Sequence, residues 1–251
     1  MDATQIVILV GIGLFGGAWN AVAGGATLFT FPALMATGLP PVVANATNYL
    51  ALLPSNAAAI PAYREELRGL GKTLVPLLFI SGVGAITGSI LLLVSDPDFF
   101  VKLLPFLILT ATCLFAFGDR LRIWLLATLG ENRGNNAVYI GLFLSSIYGG
   151  YFGAGLGFIL LAVAQLLGFS NFHVANSIKN LLATSFTILS ILVFGVGGLI
   201  AWPQAIAMMV GSTIGGYTGG RLAKNINTKY LRGMVIIFGL MLSLVYFFRT
   251  Y

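Results

Sequence analysis

Charge is scarce in this chain of 251 residues: Asp, Glu, Lys and Arg together make up 8% of it. A soluble domain carries roughly 25% charged residues. With 58% apolar residues and a mean hydropathy of +0.98, this chain cannot cover its surface in water. Most of it must face lipid or membrane-buried protein. Carboxylates are missing from every long apolar run, which argues against an intramembrane carboxylate relay for protons. A single cysteine, Cys113, excludes an intrachain disulfide and a multi-cysteine metal site. No P-loop pattern is present, which excludes direct use of ATP by this chain. With one histidine and so few acid–base groups, a hydrolase or metalloenzyme has almost nothing to work with. Neither an enzyme nor a cofactor is expected. Lys and Arg are also missing ahead of Ala21-Val22-Ala23, so this stretch lacks the positive region of a signal peptide and reads as a retained membrane helix.

What is present is arranged twice. Ala44-Asn45-Ala46-Thr47-Asn48-Tyr49-Leu50 returns 131 positions later as Ala175-Asn176-Ser177-Ile178-Lys179-Asn180-Leu181. A glycine cluster precedes each copy, Gly24-Gly25 in one half and Gly153, Gly155 and Gly157 in the other. Small-xxx-small spacing follows each, Gly84 and Gly88 first, then Gly211, Gly215 and Gly219. Each half holds about five apolar stretches. Three of the five are about 18–21 residues long and can cross a hydrocarbon core of roughly 30 Å at 1.5 Å per residue. The second stretch of each half is about 12 residues, which reaches little more than halfway. The expected fold is an all-α polytopic membrane protein of two repeats, residues 1–118 and 137–251. Short helices beside the glycine clusters are broken or re-entrant. Residues 119–136 form a cytoplasmic or interfacial linker that either extends the preceding helix or lies at headgroup level with Trp124.

The net charge of +6 sits in short groups between the apolar runs, which suits cytoplasmic loops rather than a nucleic-acid partner. Arg64, Arg68 and Lys72 follow the third stretch of the first half, and Arg120, Arg122 and Arg133 occupy the linker. Arg221, Lys224, Lys229 and Arg232 follow the fourth stretch of the second half. The loop 95–98 carries only Asp96 and Asp98, and 195–202 carries no charge. Positive loops lie inside, so the loop after the third stretch is inside in one half and outside in the other. That is an inverted-topology repeat, an arrangement that points to transport.

The polar interruptions are the candidate site. A helix broken at glycine leaves unpaired N–H groups at mid-depth, tolerable where they line a cavity and attractive to an anion. Asn20, Gly24, Gly25, Asn45, Thr47 and Asn48 in the first half, and Gly153, Gly155, Asn176, Ser177, Lys179 and Asn180 in the second, are the candidate substrate contacts. Lys179 is the sharpest of them: a lysine at bilayer depth costs about 2.5–3.5 kcal/mol on insertion scales, so it should face a wet or anionic cavity. Interhelical hydrogen bonding is the alternative role for the Asn and Thr side chains, and snorkelling is the alternative for Lys179. His173, at the start of the same helix, is a helix-start residue by default. No metal site is expected.

Phe31-Pro32-Ala33-Leu34, Gly38-Leu39-Pro40 and Ala44-Asn45-Ala46-Thr47-Asn48 resemble the TauE/SafE family, as do Pro54-Ser55, Ala62-Tyr63-Arg64 and Glu66-Leu67. Gly153-Ala154-Gly155 and Ala175-Asn176-Ser177-Ile178-Lys179-Asn180 resemble that family's second copy. Each motif is loose, but their order and spacing span nearly the whole chain. One departure is Ala162, which stands where the first copy has Pro32. The resemblance implies a multi-pass permease of a bacterial inner or plasma membrane. Its partners would be the lipid bilayer and a small sulfur-containing anion (sulfite or a sulfonate), moved as an exporter. An anion channel and an uptake permease are the alternatives, and homo-oligomerisation stays open.

Overall fold

The computed structural model describes residues 1–22, 25–57, 67–68, 70–129, 135–222 and 228–251. Regular structure among them is helical throughout. Hydrocarbon offers no hydrogen-bond partners, and a helix satisfies its backbone within itself. The first half supplies α1 (Ala3–Val22), α2 (Thr27–Ala36), α3 (Pro41–Ala57), α4 (Gly71–Val94) and α5 (Pro97–Leu129). The second half supplies α6 (Asn135–Tyr151), α7 (Leu156–Leu166), α8 (Phe172–Val196), α9 (Trp202–Leu222) and α10 (Thr228–Thr250). Helices α1, α4, α5, α8 and α10 contain stretches long and apolar enough to cross a membrane. The short second elements are helices of 10 and 11 residues, about 15–17 Å each.

Helix α5 is 33 residues long and carries the chain through most of the expected linker. Its start is well capped: Pro97 takes the first helical position, and the Asp96 carboxylate accepts from the amides of Asp98 (2.8 Å) and Phe99 (3.2 Å). Asp96→Ala should cost about 1 kcal/mol, lowering the thermal midpoint in detergent by about 2–4 °C for a chain of this size. No change in midpoint would show that the cap is immaterial.

The two halves pack crosswise. Helix α1 lies along α9, and α4 lies along α6, so the first helix of each half meets the fourth of the other. Likewise α3 packs on α9 and α4 on α8, while α3 meets α8 and α5 meets α10. Glycine makes the closest crossings. A Cβ on Gly84 would lie 2.7 Å from the Phe143 carbonyl oxygen, and one on Gly88 would land on that of Ile147. On the matching crossing, Cβ atoms on Gly211 and Gly215 would strike the carbonyls of Val10 and Leu14. Small residues let two backbones touch, and dispersion between them replaces the hydrophobic drive that lipid does not provide. Large apolar side chains remain on the outer surface, among them Phe79, Val94, Val196 and Phe248, each more than 70% exposed. In water this surface would aggregate, whereas lipid wets it.

One contact breaks the symmetry. Helix α5 lies along α7, but its counterpart α10 barely touches α2. The longer helix of the first half therefore covers the short helix of the second.

Candidate functional site

Both short helices begin at a glycine in the left-handed region. Gly25 has φ +78° ahead of α2, and Gly153 and Gly155 have φ +74° and +77° ahead of α7. Residues with a Cβ rarely adopt this conformation, which is why each break carries glycine. Space demands the same residue. A Cβ on Gly25 would strike the Phe115 ring, and one on Gly155 would lie 3.1 Å from the Ala111 carbonyl. Both helix starts thus seat against α5, about one turn apart along it. Some first-turn amides are used at the breaks themselves, Leu28 on the Gly25 carbonyl (3.1 Å), Phe29 on that of Ala26 (2.9 Å) and Leu156 on that of Gly153 (3.4 Å), and both helix starts line a common space.

That space is a cavity of about 550 Å³. The end of α1 contributes Asn20, the start of α2 contributes Gly25 and Thr27, and the end of α3 contributes Ser55 and Asn56. Phe115, Asp119 and Arg122 reach it from α5, and the segment 153–158 closes another side. Helix α8 presents one face to it, with Asn176, Lys179, Asn180, Ala183, Phe186 and Thr187. A smaller cavity of about 70 Å³, reaching Asn48 and Tyr49, shares Thr27, Leu52, Asn56, Gly153, Phe186 and Thr187 with it.

Of the twelve candidate contacts, Asn20, Gly25, Gly153, Gly155, Asn176, Lys179 and Asn180 meet at the larger cavity, and Asn48 borders the smaller one. Three others are spent on the scaffold. Asn45 donates to the Tyr151 carbonyl (2.9 Å), Thr47 accepts from the Ala201 amide (3.0 Å), and Ser177 donates to the Val174 carbonyl (2.7 Å). None of these three lines either cavity. Gly24 lies outside the described residues, as does the side chain of His173. Asn20 donates to Ser55 Oγ (3.1 Å) and Asn56 Oδ1 (2.9 Å), and so ties α1 to α3. Asn48 accepts from Thr30 (2.6 Å) and donates to Thr27 (3.3 Å), and so holds α2.

Electrostatically the site is cationic. Lys179 makes no hydrogen bond or ion pair among the described residues, although it is largely enclosed. Its methylene stem runs beside Gly157, where a Cβ would lie 3.8 Å from Lys179 Cδ. Arg122 adds a second positive charge and Asp119 one negative charge. Asp119 lies in the stretch expected as a linker, through which α5 continues, and it brings a carboxylate to the cavity.

The lining residues outside the twelve candidates leave a helical signature. Ala183, Phe186 and Thr187 continue the face that Asn176, Lys179 and Asn180 begin, at i, i+3, i+4, i+7 spacing. Phe115, Asp119 and Arg122 do the same on α5 once its extension is granted.

Away from the cavity a set of contacts ties α3 to α6, to α8 and to the start of α9. Tyr49 donates its hydroxyl to the Gly149 carbonyl and stacks edge-on against Phe194 at 5.4 Å. The bonds of Asn45 to Tyr151 and of Ala201 to Thr47 join this set, and the Ser95 hydroxyl meets that of Tyr151 at 3.4 Å. This is the build of a membrane transporter: a multi-pass helical bundle with a polar, cationic cavity between discontinuous helices. Residues 9–246 match the sulfite exporter TauE/SafE family, and the chain belongs to it. It is 33% identical over 245 residues to a "probable membrane transporter protein" of Haemophilus influenzae, covering 95% of this chain and 92% of that one. It is 31% identical over 247 residues to the "probable membrane transporter protein YfcA" of Escherichia coli K12, covering 94% and 87%. No solved structure matches it.

Proposed function

We propose that the chain exports sulfite or a related organosulfur anion by alternating access between two inverted repeats. The observation that carries this reading is Lys179, a cation without a protein partner among the described residues, facing a cavity onto which two helix N-termini open. Buried cations are held by anions, and helix N-termini favour negative charge. Sulfite and sulfonates present three oxygens, which suit several N–H donors together with one ammonium. The name of the family supplies the sulfur chemistry.

Crosswise packing of equivalent helices supports the repeat, and the alternation of basic and charge-poor loops supports its inversion. On that orientation the cavity lies toward the cytoplasm, because it gathers the end of α3, the start of α8 and the extension of α5. The contacts that tie α3 to α6, α8 and α9 then face outward, and the structure is the state that loads substrate from inside.

Two measurements test this. Sulfite or a sulfonate should raise the thermal midpoint of the purified protein, and reconstituted protein should show saturable flux with counterflow. Flux that neither saturates nor exchanges would make it a channel, and no response to any of these anions would remove the substrate reading. Those contacts make their own prediction. In a Cys113→Ala background, Asn45→Ala should speed labelling of Ile200→Cys by a membrane-impermeant thiol reagent applied outside, by about threefold or more for a bond of about 1 kcal/mol. An unchanged labelling rate would show that this contact does not hold the outer end shut.

A further inference from the structure

Arg122 carries a second, separate signal. It stands on the stretch of α5 beyond residue 118, within a helix of 33 residues. Helix α7, the element that α5 covers, supplies its partner: Arg122 Nη1 donates to Gln165 Oε1 at 3.3 Å. This is its only hydrogen bond among the described residues. Its Nε–H is buried without a partner, in a residue that lines the cavity. A buried donor left unpaired is costly, so the arrangement is one that a ligand oxygen would complete. The guanidinium is planar; Nη1 is held by Gln165 and Nε–H is enclosed and unpaired, so a small shift of the side chain is what would bring the Nε/Nη2 edge to a ligand in the cavity. That edge matches two oxygens of one group and cannot be matched twice by a spherical ion.

We propose that Arg122, clamped by Gln165, is a specificity residue of this cavity, presenting its Nε/Nη2 edge to two oxygens of an oxyanion and favouring sulfonate, sulfite or carboxylate groups over halide-like anions. Lys179 supplies unspecific attraction and Arg122 reads shape. The inference rests on the anion-transport reading above.

The experiment uses the full-length protein in detergent, with methanesulfonate and bromide as probes and binding read by thermal shift. Wild-type protein should bind methanesulfonate about tenfold or more tightly than bromide. Arg122→Lys keeps the charge and loses the fork, so it should bring the two affinities within about threefold of each other. Arg122→Gln should weaken methanesulfonate about tenfold or more. Gln165→Leu leaves the cation in place and frees it to rotate, so it should lose about threefold to tenfold on methanesulfonate alone. In liposomes the same variants should raise KM more than they lower kcat. A preference for methanesulfonate retained in Arg122→Lys, or an unchanged affinity in Arg122→Gln, overturns the proposal. So does a Gln165→Leu protein that discriminates like wild type. Wild-type protein that binds neither probe overturns the proposal together with the sulfonate reading of the cavity, an outcome distinct from normal binding that ignores Arg122.

Discussion

Lys179→Met should abolish sulfite-dependent stabilisation, with affinity falling about thirtyfold or more, and should leave the ligand-free protein as stable as wild type or more so. The two halves of this prediction come from the same fact. Lys179 is enclosed in a cavity with no protein partner among the described residues, so the fold gains nothing from its charge. Removing one member of a desolvated charge pair costs about 2–5 kcal/mol of binding, which is about thirtyfold to several thousandfold in affinity. Removing a lysine from bilayer depth, by contrast, relieves about 2.5–3.5 kcal/mol on insertion scales. Methionine keeps the length of the stem beside Gly157, so packing there survives. Thermal melts with and without sulfite read both quantities in one experiment. A variant that loses stability and keeps affinity would make Lys179 a scaffold residue and leave the cavity without its principal cation. Loss of function joined to unchanged or improved stability is the usual mark of a residue kept for binding.

Gly88→Leu and Gly215→Leu should each prevent recovery of folded, monodisperse protein. At both positions the added Cβ falls on a backbone carbonyl of the helix it crosses, Ile147 in one case and Leu14 in the other. Backbone cannot turn aside as a side-chain tip can, so the helices must separate along the whole crossing. Overpacking a single core site costs about 1–3 kcal/mol. Separating two helices also forfeits the contacts of every neighbour on the seam. Gly141→Leu is the matched control: it adds the same side chain to α6 where nothing lies within 4 Å of the new Cβ. Size-exclusion profiles of the three variants decide the point. Equal recovery of all three would show that the crossings yield, and that small residues there are not required.

Much of this architecture is legible without coordinates, and for a definite reason. Lipid imposes a strict rule on backbone, so long apolar runs become helices, and runs too short to cross, α2 and α7, stand out by length alone. Glycine at the two breaks is legible as well, because Gly25 and Gly155 sit in the same place in each half. The chemistry of the cavity is less so. Asn45 and Asn176 hold the same place in the repeated motif, yet Asn45 bonds to the Tyr151 backbone and Asn176 lines the cavity. Two copies of one motif take different roles when their surroundings in the bundle differ. Sequence symmetry cannot express that difference, since it belongs to the conformation.

Hydropathy also loses residues where a helix outlasts its apolar run. Asp119 and Arg122 lie in a stretch that charge assigns to a linker, and only the packing of α5 over α7 turns their side chains toward the cavity. What the sequence determined by itself was the solvent of this protein, the helical state of its backbone, the recurrence of one motif 131 positions on and a lysine within an apolar run. All of these follow from local composition and spacing, which act residue by residue. Tertiary structure alone decided which polar groups face one another and which are consumed by the scaffold. Those outcomes depend on contacts between segments more than a hundred residues apart, such as Asn45 with Tyr151 and Thr47 with Ala201, and no local pattern encodes the distance between them.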